Sequence, residues 1–382
     1  MKEKEITILA LHLGTGGIER AITFLGNILC NDYKIKIVCV YKLQEKPAFE
    51  LDEKIEVEYL SENIIPNREE FLLAIKKIKL LTIIKEGIKS IKVLYIKKKR
   101  MISKIKEIES DIIISTRLEL SKWMGKYAKK DILKIAQEHN HHNNNNRIIK
   151  KTIQSLKNID YFMPVSKELT DFYAKKIDQQ KTKCIYIPHG IDYFPDSASS
   201  LDSKNIVSIG RLVSSKGFIE LVEIFGQIVL RKKDWTLSIV GSGDQYEELK
   251  NKIKELNLQN HVFLLGNKNQ EELNKIFLDS SIYVMTSYYE SFGLVLIEAE
   301  SFGIPLVAFD SAQGANEIIK EGYNGFLIKN RNKQDMVNKI LALINDEEYR
   351  NKIGNNGRED SKIYKKEEIQ KKWISFLSDI TK

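Results

Sequence analysis

SIYVMTSYYESFGLVLIEAESFGIPLVAFD (281–310) places a strand, a turn, a helix and a second strand in one short stretch. SIYVMTS (281–287) and IPLVAFD (304–310) are apolar, β-rich runs. Between them a turn carries Glu290, Ser291, Phe292 and Gly293 and opens an apolar helical segment. The alternation continues outward. NIVSIG (205–210), TLSIV (236–240) and HVFLLG (261–266) precede it, and GFLIKN (325–330) and a polar, helical 332–382 follow. Upstream of the Ser-rich IDYFPDSASSLDSKN (191–205) lies a second series: ITILALHL (6–13), KIKIVCVY (34–41), DIIIST (111–116), ILKIAQ (132–137), DYFMPVS (160–166) and KCIYIP (183–188). Strands alternating with helices indicate parallel, doubly wound α/β sheets. Two Rossmann-like domains are expected, at 1–190 and 205–365, with a linker at 191–204. A carboxy-terminal helix at 366–382 is expected to pack back on the first domain.

A length of 382 residues fits two or three domains. With 42% hydrophobic and 30% charged residues, a wholly disordered or fibrous chain is excluded. No apolar run approaches the ~18–20 residues of a membrane-spanning helix. The start, MKEKEITILALHL, has neither a signal-peptide core nor a cleavage site. Cys30, Cys39 and Cys184 are odd in number and far apart, which argues against a disulfide framework or a zinc site. A reducing, cytoplasmic setting is therefore expected.

The net charge of +9 is concentrated in residues 71–110, which hold 12 Lys/Arg against 3 Glu. Ile84, Ile88, Ile91 and Tyr95 form one helical stripe there. Two readings stand: a solvated helix, or a basic amphipathic surface that docks on anionic lipid headgroups. Nucleic-acid binding is disfavoured, because no aromatic interleaving or base-reading module accompanies the charge.

Three segments carry candidate chemistry, each after a strand, where ligands of such sheets bind. In LHLGTGGIER (11–20), Gly14, Gly16 and Gly17 open a helix, which suits either close approach to a phosphate or a structural tight turn. A dinucleotide fingerprint fails: Glu19 holds the third glycine position, and no acid follows the second strand at Val40-Tyr41-Lys42. SIGRLVSSKGF (208–218) sets Arg211 and Lys216 where two cations can neutralise a diphosphate. In YYESFGLVLIEAE (288–300), Glu290 can reach a sugar, residues 291–293 offer helix-terminal amides, and Glu298 can accept ribose hydroxyls. Glu300 reads as an incidental acid. There is no Asp-x-Asp pair in the chain, so a paired-carboxylate Mn²⁺ site of that type is missing.

The segment with Glu290 and Glu298 resembles the signature of retaining glycosyltransferases of family four, which have the GT-B fold. GGIER, EHN, PVSKELTDFY, IPHGID, IGRLVSSKG, IVGSGDQYEEL, LGNKNQEEL, ESFGLVLIEA and GIPLVA follow in the family's order. The resemblance covers nearly the whole chain and is thin from 42 to 110. It implies two domains facing each other across a cleft. Arg211 and Lys216 would hold the donor diphosphate and Glu298 the ribose. Glu290 would lie at the donor sugar, with the amides of Phe292, Gly293 and Leu294 around phosphate and sugar. Gly16 and Gly17 would face the phosphate or acceptor, while Lys268 meets the base through its backbone and Gly241 lines the same pocket. His139 would stand near the sugar, with His141 and His142 as alternatives; HNHHNNNN (139–146) also fits a solvated loop or an adventitious metal binder. Ser291 replaces a frequent Gly, and GSGDQ (241–245) lacks a common Pro.

The implied activity is metal-independent, retaining transfer of a hexose-type sugar from a nucleotide sugar, a UDP-sugar first. The acceptor would be a saccharide or lipid-linked saccharide in envelope or capsular polysaccharide synthesis. No cofactor is expected, the donor being a substrate. An epimerase or disaccharide phosphorylase on the same fold and a non-catalytic partner subunit are the alternatives. The subunit reading is weakened because Arg211, Lys216 and Glu298 are all present. The expected location is cytoplasmic, at the inner face of the membrane if residues 71–110 dock there.

Overall fold

In the computed structural model, which describes residues 4–62, 64, 66, 67, 71–73, 75 and 78–381, the strands form two parallel sheets. The first sheet has seven strands among the described residues. They are β1 (Glu5–Ala10), β2 (Lys34–Cys39), β3 (Glu56–Tyr59), β4 (Ile112–Ser115), β5 (Leu133–Glu138), β6 (Tyr161–Pro164) and β7 (Lys183–Cys184), in the order β3-β2-β1-β4-β5-β6-β7. The second has six: β8 (Asn205–Ile209), β9 (Thr236–Val240), β10 (Val262–Leu264), β11 (Ile282–Met285), β12 (Leu306–Phe309) and β13 (Gly325–Ile328), ordered β10-β9-β8-β11-β12-β13. Strand order reverses between β1 and β4 and between β8 and β11. In such sheets the crevice for ligands opens beyond the carboxyl ends of the strands at that reversal.

The strands are near-continuous Ile, Val and Leu because helices cover both faces of each sheet. Ile112, Ile113 and Ile114 are fully buried in β4, as are Ile282, Tyr283 and Val284 in β11. In the second unit the helix Phe218–Val229 presents Phe218, Leu221, Val222, Phe225 and Ile228 to a core with Leu237 and Ile239 of β9. Sequence patterning misses β3, whose EVEY reads as polar. It is an edge strand, and its acids serve as partners: Lys36 pairs with Glu56 and Glu58, and Lys104 with Glu58 at 2.6 Å.

Two compact units divide the chain, residues up to Ile187 with those from Gln370 onward, and Pro188–Ile369. The Ser-rich 191–204 stretch, expected as a linker, lies inside the second unit. Ser199 donates to the carbonyl of Ser280 at 2.8 Å, its amide donates to Phe302 at 2.8 Å, and Arg350 donates to the carbonyl of Leu201. The helix Lys366–Ile380 carries the chain back, with Phe376 edge-on to Tyr161 and Lys4 Nζ bonded to the carbonyl of Thr381.

The helix Leu80–Glu107 carries most of the described part of 71–110; residues 74, 76 and 77 lie outside the described residues. Its Lys97–Arg100 run is not uniformly solvated. Lys97 is buried against Glu119 at 2.7 Å, and Arg100 donates to Ser61 at 3.0 Å. Among the described residues no helix is long and apolar enough to cross a membrane.

Candidate active site at the carboxyl edge of the second sheet

Leaving β8, the chain turns through Gly210 and Arg211 into a short 3₁₀ turn, Ser214–Lys216, and enters the helix Phe218–Val229 at Gly217. Gly217 has φ 69°, and a Cβ there would strike the carbonyl oxygen of Thr286 just beyond β11. The loops after β8 and β11 are thus in backbone contact. Further bonds join them: Tyr288 N donates to Ser215 O at 2.8 Å, and Thr286 Oγ1 to Gly217 O at 3.0 Å. This contact brings Lys216 to Glu290. Their Nζ and Oε2 lie 2.5 Å apart, with both side chains about one-fifth exposed (21% and 19%). Arg211, on the same loop after β8, is exposed and makes no ion pair among the described residues.

Beyond Glu290, Phe292 is buried, with its ring edge-on to His189 at 5.2 Å. Gly293, at φ 93°, caps the helix Leu294–Ser301. The first amides of that helix have no acceptor within it and stand beyond β11, at the positive end of the helix dipole. Glu298 and Glu300 lie on the same helix, both buried. Tyr283 of β11 is pushed up by burial, and both Glu290 and Glu298 act on its hydroxyl, so the two carboxylates share one neighbourhood. Gly241 donates its amide to Gly266 O at 2.8 Å, so the loop after β9 meets the loop that carries Lys268. The Lys268 ammonium is taken by Glu272 at 2.8 Å, which directs its side chain onto the helix Gln270–Leu278 that follows.

Glu300 is not incidental. It accepts from Asn324 Nδ2 at 2.7 Å, and burial, with Asp360 nearby, holds its carboxyl well above the usual carboxylate range. The folded chain keeps a proton that the unfolded chain releases, so this group's stabilising share is present in acid and lost as pH rises. Glu300→Gln, which mimics the protonated form, is expected to raise Tm by a few degrees at neutral pH. The gain should vanish near the ordinary carboxyl pKa of 4.5. Scanning calorimetry at the two pH values checks it; equal shifts at both would place the charge elsewhere.

Arg331 is a residue that sequence reading missed. Its guanidinium donates to the carbonyls of Thr286 (2.9 Å) and Ser287 (3.1 Å), pairs with Glu220, and stacks on Tyr288 at 3.7 Å. It fixes the path of the loop that carries Glu290. Nothing local in KNRNKQ (329–334) signals this.

In the first unit Gly16, Gly17 and His139 lie beyond β1 and β5. Glu19 folds back over Gly16 and pairs with Arg117 at 2.9 Å, so a carboxylate already lies at this helix start. His139, directly after β5, is buried. His142 packs on Phe172 at 4.4 Å and accepts from Asn144 N, and His141 accepts from Asn143 N. Those two rings are engaged in the turn itself. Among the described residues no group of three or more His, Cys, Asp or Glu is arranged to hold a metal ion.

Residues 191–360 match the family described as glycosyl transferases group 1. An uncharacterized glycosyltransferase of Haemophilus influenzae is 26% identical over 98% of this chain and 100% of its own length. A Campylobacter jejuni enzyme is 21% identical over 98% of this chain and 99% of its own. It is named GalNAc-alpha-(1->4)-GalNAc-alpha-(1->3)-diNAcBac-PP-undecaprenol alpha-1,4-N-acetyl-D-galactosaminyltransferase. Longer curated relatives are spanned over only 34–39% of their length. A crystal structure of an S. aureus TarM variant with fondaparinux, alpha-GlcNAc-glycerol and UDP superposes with a TM-score of 0.75. It is 17% identical, over 97% of this chain and 99% of that one. Its second unit thus carries the match to the group 1 glycosyl transferases, and the chain has the GT-B fold.

Proposed function

We propose that the chain moves a hexose-type sugar from a UDP-sugar to a saccharide or lipid-linked saccharide, with retention and without a metal ion, in assembly of a cell-envelope or capsular polysaccharide. The observation that carries this reading is the Lys216–Glu290 pair at the reversal between β8 and β11, with exposed Arg211 on the same loop after β8. A leaving diphosphate gains negative charge as the glycosidic bond breaks. Arg211, the Lys216 ammonium and the amides of Phe292, Gly293 and Leu294 are fixed donors for that charge. Glu290, next to Lys216, would orient the sugar, and buried Glu298 would accept the ribose hydroxyls. Gly241 and the Lys268 backbone would line the base side, and Gly16, Gly17 and His139 would serve sugar and acceptor. Retention would come from attack on the face the leaving group vacates, its phosphate taking the acceptor proton. The UDP of the TarM complex supports the donor, and the undecaprenol-linked substrate in the Campylobacter enzyme's name supports a lipid-linked acceptor. Such work belongs at the cytoplasmic face of the membrane.

A thermal-shift screen of nucleotide sugars, followed by product analysis with and without an acceptor, tests the activity. Transfer that persists in EDTA is expected; inhibition reversed by Mn²⁺ would contradict the metal-free mechanism, and a rearranged donor without acceptor would mark an epimerase. Glu298→Gln should weaken UDP binding by about 10–100-fold, the size of losing one charge-assisted hydrogen bond, since the amide oxygen still accepts from one hydroxyl. Unchanged UDP affinity by calorimetry would remove Glu298 from the ribose.

A further inference from the structure

The helix Leu80–Glu107 buries one face and exposes an apolar one. Val93, Lys97, Met101 and Ile105 are its buried residues. At 100° per residue, Val93 lies half a turn away from Ile84. On that far side Leu80 is 71% exposed, Leu81 86%, Ile84 61%, Ile88 64%, Ile91 70% and Tyr95 64%. Single exposed apolar residues are ordinary, but this is a continuous strip about 20 Å long. One flank is cationic, with Lys85, Lys89 and Lys92 exposed along it, and Lys98 and Lys99 are exposed just past its carboxyl end. The acid within 80–100 is Glu86, which is engaged by Asn67 Nδ2 at 2.7 Å.

An apolar strip edged by lysines matches the boundary between acyl chains and anionic headgroups. An antiparallel second copy fits it poorly, because the two lysine-lined flanks would face each other. We propose that the Leu80–Tyr95 face inserts into the headgroup layer of an anionic bilayer. Insertion of the apolar strip supplies the binding, and the flanking lysines select the lipid. This differs from adhesion through the Lys97–Arg100 run, where Lys97 and Arg100 have structural partners. It deepens the reading of a lipid-linked acceptor and rests on it for purpose, not for its test.

The test is flotation of the full chain with vesicles of phosphatidylcholine alone or mixed with phosphatidylglycerol, without donor or acceptor. The chain should float with the mixed vesicles and not with phosphatidylcholine alone. Ile84→Ser/Ile88→Ser/Ile91→Ser should lower that partitioning about a hundredfold, as three apolar side chains no longer enter lipid. Lys85→Glu/Lys89→Glu/Lys92→Glu should abolish the preference for anionic lipid. Both variants should keep the wild-type Tm, since these side chains are exposed, and the wild-type affinity for UDP. Absence of wild-type flotation with mixed vesicles, or equal flotation of the serine variant, overturns the proposal. Loss of self-association in the serine variant with vesicle binding unchanged also overturns it, and assigns the strip to a second copy. UDP affinity is read separately, so a failure of the lipid surface is distinguishable from a failure of the donor site.

Discussion

Lys216→Ala is expected to lower turnover by about two to three orders of magnitude in a donor-saturated assay, the scale of losing one fixed electrostatic donor. The side chain does two jobs in this geometry. It places a point charge where the diphosphate would gain charge, and it neutralises Glu290 at 2.5 Å. Without it, an uncompensated carboxylate would face the departing phosphate. Stability should barely change, because both partners are partly exposed and such pairs contribute about 0–1 kcal/mol. Lys216→Arg should recover part of the rate by restoring charge in a different shape. Near-normal turnover in the alanine variant would show that Lys216 does not act on the leaving group.

Gly241→Ala is expected to be as damaging by another route. Gly241 has φ 135°, and a Cβ there would lie against the carbonyl group of Gly210, with its carbon at 2.9 Å. The methyl group would force apart the loops after β8 and β9, and Arg211 rides on the first of them. Turnover should fall by about a hundredfold or more, the scale of misplacing a catalytic group by an ångström. Tm should drop as well, since a non-glycine residue at such a φ costs of order 1–3 kcal/mol. Gly266→Ala separates the two causes: it has φ 69° but nothing within 4 Å of its Cβ, so it should carry strain without the rate loss. Similar rates in the two variants would mean that the contact at Gly241 does not set the position of Arg211.

Strand runs such as DIIIST and SIYVMTS were legible because both faces of a covered parallel sheet must be apolar, whatever packs on them. EVEY was not, since an edge strand needs only one partner and its acids satisfy lysines on neighbouring elements. Arg211, Lys216, Glu290 and Glu298 could be named one at a time from the turns that hold them. That Lys216 and Glu290 form a pair is a tertiary fact: 74 residues separate them, and the contact depends on Gly217 admitting the Thr286 carbonyl. Glu300 shows the converse. Two residues from Glu298 and of the same type, it differs only in what faces it, and no spacing rule separates the proposed ribose ligand from an acid buried against Asn324. Arg331 and Lys97 are further cases in which a charge that looks solvated in sequence is placed by distant carbonyls or a carboxylate.

The most direct measurement is a calorimetric comparison of UDP and uridine on the wild-type chain and on Arg211→Ala/Lys216→Ala. If these two cations hold the donor's diphosphate, UDP affinity should fall by about a hundredfold or more in the variant, two charge-assisted contacts being lost. Uridine affinity should stay the same, because uridine has no phosphate for them to hold. Equal UDP affinity in the two proteins, or a parallel loss for uridine, would contradict a diphosphate site at the reversal between β8 and β11.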